Sequence, residues 1–171
     1  MTPRFSRWLE ALLGAFPARA GVGETIGDRL IRYWPDSTAQ RSAPPSVILQ
    51  RVFPATGPAP ERERVVPEFA NEHGGRGVRV RTERGTSLYG TGEVSGPLER
   101  TGKRVTCWNT DAYGYNETTE ALYQSHPWVL AVRADGGSYG VLADTPSRVV
   151  IDLSRGIEFR AQGPAFGVIV V

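Results

Sequence analysis

The chain has 171 residues, of which 40% are hydrophobic and 22% charged, with a net charge of +2. This is ordinary for a soluble globular protein and enough for one domain with a real core, with a disordered or helical N-terminal arm. The 20 basic residues, Lys103 being the only lysine, are scattered with no stripe or motif, which argues against nucleic acid as a partner.

At the N-terminus, Phe5, Trp8, Leu9, Leu12, Leu13 and Phe16 recur at helical spacing. The spacing predicts a short amphipathic helix that packs on the domain or on a missing neighbour. It is too interrupted for a signal peptide and too short to span a membrane. Arg4, Arg7 and Arg19 allow only a weak organelle-targeting reading. Residues 21–45 read as irregular and turn-rich, so residues 1–45 are expected to form an arm. The sandwich is expected over 46–171.

Ser46 to Phe53, SVILQRVF, is the first expected strand. The Pro-, Glu- and Arg-rich stretch that follows, to about Gly75, reads as a long exposed connection. From Gly77 onward the period becomes two. Val78, Val80 and Thr82 share one face, with Arg79 and Arg81 on the other. WVLAVRADGGSYGVLAD is a hairpin, turning at Asp135-Gly136-Gly137. Val149, Ile151 and Leu153 point one way, as do Ile157, Phe159 and Ala161 after a turn at Ser154-Arg155-Gly156. Phe166, Val168 and Val170 form the last strand. Short strands with regular turns predict an all-β antiparallel sandwich. The chain ends inside that apolar strand at Val171, which reads as a fragment or a chain that continues.

Cys107 is the single cysteine, so no internal disulfide or cysteine metal cluster exists. It suits a reducing compartment, and a cytoplasmic location is expected. As a half-buried strand residue it is a poor nucleophile, because only His73 and His126 could serve as its base. Neither a metal site nor a cofactor is expected. His126, before Pro127, reads as hydrogen-bonded to a neighbouring loop. Trp108 and Trp128 read as core packing or as a platform beneath a loop.

The unusual segment is Leu88 to Trp128, crowded with Gly, Trp, Tyr, Asn and Asp. Gly90, Gly92 and Gly96 fit neither a dinucleotide fingerprint nor a nucleophile elbow. They read as sharp turns passing close to another backbone. Asn116-Glu117-Thr118 is a glycosylation sequon, relevant only to a secreted protein. Asp111 stands in the polar, aromatic loop WNTDAYGYN. It admits two roles, a ligand-binding carboxylate and a turn-forming one.

Tyr-Gly-Thr-Gly-Glu (89–93), Trp-Asn-Thr-Asp (108–111) and Tyr-Gln-Ser-His-Pro (123–127) occur in order. From about Val78 to Leu153 the chain resembles the N-terminal β-sandwich domain of glycoside hydrolase family 31, the α-glucosidase family. The resemblance implies a galactose-mutarotase-like sandwich and an α-glucoside or related carbohydrate as ligand. It implies a TIM-barrel catalytic domain as partner, which holds both catalytic aspartates. Retaining glycosidases need two carboxyl groups about 5–5.5 Å apart, and a barrel needs about 250 residues. This chain has no such stretch, so no catalytic residue is expected in it. The resemblance assigns substrate contact to Asp111, with Thr110 and Tyr113 shaping the subsite. A free-standing carbohydrate-binding or interaction module is the alternative. A sugar epimerase needs a paired acid and base that two isolated histidines do not supply.

Overall fold

In a computed structural model, residues 19–43, 55–59, 64–72 and 75–171 are described. The expected N-terminal helix and the expected strand at 46–53 lie outside them. The described residues form two antiparallel sheets packed face to face, the expected sandwich.

The first sheet contains β1 (Arg19–Ala20), β5 (Glu68–Glu72), β6 (Gly75–Val80), β12 (Ile157–Gln162), β11 (Val149–Asp152) and β8 (Arg104–Cys107), in that spatial order. The second runs β4 (Gly57–Pro58), β2 (Val22–Gly27), β3 (Leu30–Trp34), β13 (Gly167–Val170), β10 (Ser138–Asp144), β9 (Ser125–Val132), β7 (Ser87–Gly92). The alternation read from the sequence is the alternation found. Val78, Val80, Val149, Ile151, Ile157 and Phe159 fill the inner face of the first sheet. Leu88, Val129, Ala131, Val141, Ala143 and Val168 oppose them. Burying one such aliphatic side chain contributes about 1.5–3 kcal/mol. The β9–β10 hairpin turns where expected, with the Arg133 amide donating to the Gly137 carbonyl at 2.8 Å.

On the outer face of the first sheet, one register row reads Glu68, Arg79, Glu158, Asp152, Arg104. Glu158 is buried. Its two carboxylate oxygens take Arg79 at 2.7 Å and Arg160 at 2.8 Å. A buried carboxylate is tolerable only when it is paired in this way.

Two expectations need correction. Residues 21–43, the described part of the irregular stretch expected within the arm at 1–45, are not irregular. They supply β2, β3 and the helix α1 (Ser37–Ser42), and β3 pairs with β13 inside the second sheet. The sheets therefore begin well before residue 46. The reason is that β3 is buried on both faces. Ile31 and Tyr33 enter the core, while Arg32 and Trp34 are covered on the opposite face. A strand buried on both sides loses its polarity alternation. Glu24 serves this outer layer, accepting from Arg32 Nη1 at 3.3 Å, Trp34 Nε1 at 3.5 Å and Gln40 Nε2 at 2.7 Å, while Arg32 Nε and Nη2 are buried without a hydrogen-bond partner. Asp36 caps α1 by accepting from the Ala39 amide, and buried Ala39 gives the short helix its anchor.

Nor is the connection at 53–75 without strands. β4 pairs with β2, and β5 pairs with both β1 and β6. In β5, Phe69 and Ala70 alone are apolar, too few for a periodic signal. The strand forms because β6 offers it a hydrogen-bonding edge and Phe69 a place in the core.

Candidate functional site

β7 and β8 run out into loops at the same end of the sandwich, with the Cys107 thiol near the end of β8 directed to the Thr91 carbonyl near the end of β7. β7 leaves its sheet through an irregularity. Gly90 pairs with Val129 and Gly92 with Ser125, so two steps along β7 match four along β9. Pro127, which has no amide to donate, sits in the excess. Gly90, Thr91 and Gly92 all have positive φ, at 99°, 71° and 84°. A Cβ on Gly92 would lie 2.6 Å from both the Gln124 carbonyl and the His126 amide. The glycines thus do what was expected, turning the chain against a neighbouring backbone. Thr91 is less expected. A β-branched residue at positive φ is strained, and here its side chain is fully buried.

Beyond the bulge, residues 93–103 fold over Arg100. Its buried guanidinium donates through Nη1 to the carbonyls of Ser95 at 3.4 Å and Pro97, and through Nη2 to that of Val94 at 3.0 Å. Burial lowers its pKa from the usual arginine value. Arg100 was not singled out in the sequence, where nothing distinguishes it from the other arginines.

The loop from Trp108 to Gln124 is braced at both ends. Thr106 binds Glu120 twice, amide to carbonyl at 2.9 Å and Oγ1 to Oε2 at 3.1 Å. The Thr110 amide donates to Leu122 at 2.8 Å, and Leu122 is buried. The Ser95 hydroxyl donates to the Thr119 carbonyl at 3.3 Å, joining the two loops. The turn-forming role falls to Asn116, whose Oδ1 accepts from the amide and hydroxyl of Thr118. Asp111 is exposed, and its carboxylate accepts no hydrogen bond among the described residues.

Tyr113, also exposed, stands on the same loop. Thr110 is half-buried and its hydroxyl donates to the Trp108 carbonyl at 2.9 Å, so its own proton is committed. Trp108 is exposed and takes no part in the core, contrary to one of its expected roles. Trp128 does the packing. Its ring lies on Gly140, where a Cβ would come within 1.8 Å of it. His126 is exposed, without the expected hydrogen bond to a loop among the described residues. Cys107 is buried more deeply than expected, its thiol directed to the Thr91 carbonyl at 3.9 Å and pushed up to about 12 by desolvation. Such a thiol is not a nucleophile near neutral pH. No group of three or more His, Cys, Asp or Glu among the described residues could hold a metal ion.

The loops enclose an open cleft of about 460 Å³ between Glu93–Gly96 and Tyr115–Glu117, floored by Leu122. Asp111, Thr110 and Tyr113 do not line it. Trp108, Tyr113 and Tyr115 are exposed aromatic rings on the loop that also carries the exposed carboxylate of Asp111. Sugars are met by such pairs, with rings under their C–H faces and carboxylates on their hydroxyls.

Residues 41–152, more than half of the chain, match the Glycosyl hydrolase 31 N-terminal galactose mutarotase-like domain. The chain belongs to this family. Among curated relatives, the GH31 domain is 38% identical over 82 residues to Alpha-glucosidase 2 of Bacillus thermoamyloliquefaciens, covering 46% of this chain and 10% of that protein. It is 34% identical over 97 residues to the Probable alpha/beta-glucosidase agdC of Aspergillus clavatus, covering 52% and 11%. It therefore spans about a tenth of the length of these relatives. Among solved structures, a GH31 dextranase of Flavobacterium johnsoniae superposes with a TM-score of 0.69 at 14% identity, over 92% of this chain and 26% of the other. A cycloalternan-degrading enzyme of Trueperella pyogenes gives 0.55 at 18%, over 66% and 18%. At these identities the likeness shows the sandwich fold.

Proposed function

We propose that this GH31 N-terminal domain is a substrate-binding accessory domain of an α-glucosidase-type enzyme, working on a TIM barrel that holds the catalytic pair. The observation that carries the reading is the state of Asp111. It is a carboxylate with no hydrogen-bond partner among the described residues, exposed on the loop that carries Tyr113, and its neighbours are bonded across the loop to Leu122 and Tyr123 and to Ser125 at the start of β9. A carboxylate left unbonded on a braced loop is prepared to accept hydroxyl groups from outside. Tyr113 supplies a ring to the same ligand, and Thr110 contributes through the loop's shape rather than its committed hydroxyl. The α-glucoside class of ligand is supported by the Bacillus and Aspergillus relatives. In this reading the domain contributes no catalytic residue. A reducing, cytoplasmic setting belongs to the same proposal, supported by the single buried thiol of Cys107.

The test exchanges the matching stretch of the Bacillus α-glucosidase for that of this chain and assays release of nitrophenol from an α-glucoside. Hydrogen bonds to a charged acceptor contribute about 1.5–3 kcal/mol each. Asp111→Ala in that chimaera is expected to lower kcat/KM by about one to two orders of magnitude and to leave Tm unchanged. Unchanged kcat/KM removes Asp111 from the site. Saccharide binding by the isolated chain at comparable strength favours a free-standing module instead.

A further inference from the structure

The residues on either side of Asp111 are all tied to one short segment. Asn109 Oδ1 accepts from the Ser125 amide at 2.9 Å. The Thr110 amide donates to the Leu122 carbonyl at 2.8 Å. The Tyr123 hydroxyl donates to the Ala112 carbonyl at 3.0 Å. These bonds end on firm ground, since Leu122 is buried and Ser125 opens β9. Asp111 is left as the one residue from 109 to 112 without a tie of this kind, held between neighbours that have one.

Tyr123 is the informative member. The residue is 42% exposed, so it is not part of the core. Its hydroxyl could bond to water at no loss, yet it is directed onto the backbone next to Asp111. A tyrosine spans this distance as a rigid strut with only two side-chain torsions to fix. A carboxylate that must meet several ligand hydroxyls at once gains from being held within about 0.5 Å of its working place.

We propose that Tyr123 is a positioning residue for Asp111, holding the loop apex through the Ala112 carbonyl, with Asn109 securing the other side. This rests on the reading of Asp111 as a sugar-binding carboxylate. Tyr123 touches no substrate in this role. It acts by removing loop conformations in which Asp111 points elsewhere, so its effect must pass through Asp111.

Two measurements test this. In the 171-residue chain, nitrogen-15 relaxation on Tyr123→Phe reads the loop directly. Backbone order parameters at residues 110–113 are expected to fall from about 0.85 to below about 0.6, with those of β9 and β10 unchanged. Asn109→Ala is expected to loosen the same residues. In the chimaera described above, Tyr123→Phe is expected to lower kcat/KM about three- to tenfold, the range of one neutral hydrogen bond. On an Asp111→Ala background the same change is expected to cost less than about twofold, since coupled residues are not additive. Unchanged order parameters overturn the inference. So does a Tyr123→Phe loss that adds in full to that of Asp111→Ala. If Asp111→Ala alone is without effect on kcat/KM, the binding role of Asp111 fails, and the inference with it. The relaxation data would still show whether the strut exists, so the two failures are distinguishable.

Discussion

Gly92 and Gly102 separate two costs that are usually mixed. Both have positive φ, at 84° and 81°. A Cβ at Gly102 meets nothing within 4 Å, whereas at Gly92 it would be pressed on two backbone atoms at 2.6 Å. Gly102→Ala is expected to cost only the left-handed penalty, about 1–2 kcal/mol. Gly92→Ala must also push β7 away from the 124–126 segment, and is expected to cost at least about 2 kcal/mol more. Urea unfolding of the two variants, compared at equal slope, measures the difference. Equal losses would mean that the close approach at the bulge carries no energy. The same contact ties stability to the site, since the 124–126 segment includes Ser125, whose amide donates to Asn109.

At the scale of elements, β3 joins residues 22–34 to the second sheet. It is the partner of β13, and Trp34 lies against Gly167 with ring carbons 3.0–3.2 Å from where a Cβ would stand. Without β2, β3 and α1, β13 becomes a bare edge of Val168, Ile169 and Val170. An exposed apolar edge is an aggregation site. A chain beginning at residue 46 is therefore expected to aggregate or to lack a cooperative thermal transition, where the 171-residue chain shows one. Circular dichroism melts of the two decide this, and a sharp transition near the parent Tm in the shorter chain would show that β3 is dispensable. The Glu24 network makes the same point chemically. Its carboxylate holds Arg32, Trp34 and Gln40, so strand, neighbouring strand and helix form one unit.

The molecule as a whole carries a pH dependence set by its core. Cys107 lies between the sheets, and its thiol is raised from the usual 9.0 to about 12. Tyr139 is raised as well, mainly by desolvation, partly opposed by Arg133 and reinforced by Glu83. A raised pKa means that the unfolded chain loses its proton first. The contribution of Cys107 is complete below about pH 9 and is lost as pH rises towards 12. Within that window the folding constant is expected to fall about tenfold per pH unit from this group alone. Urea titrations from pH 8 to 11 measure it. Cys107→Ala, which lacks the titrating group, is expected to show a shallower decline, and identical slopes would place the thiol in contact with water. For the same reason the native protein is expected to resist thiol reagents at pH 8 until it is unfolded.

Strands with one face buried and one wet were legible in the sequence, because burial on a single face writes itself as period two. Val78 with Val80, Val149 with Ile151 and Ile157 with Phe159 needed no partner to be recognised, and neither did the turn at 135–137. The odd composition of residues 88–128 likewise marked the end of the molecule that departs from regular structure, and its three short runs carried the family. Tertiary structure alone decided the rest. β3 has both faces covered and so shows no alternation, and β5 has two apolar residues and a strand only because β6 lies beside it. The exposure of Trp108, the three carbonyls gathered by Arg100 and the bond from Tyr123 to Ala112 join groups several residues apart through a folded loop. Periodicity records which way a side chain faces along its own strand. It holds no record of which distant backbone will come within hydrogen-bonding distance, because that depends on how loops close over a sheet already built.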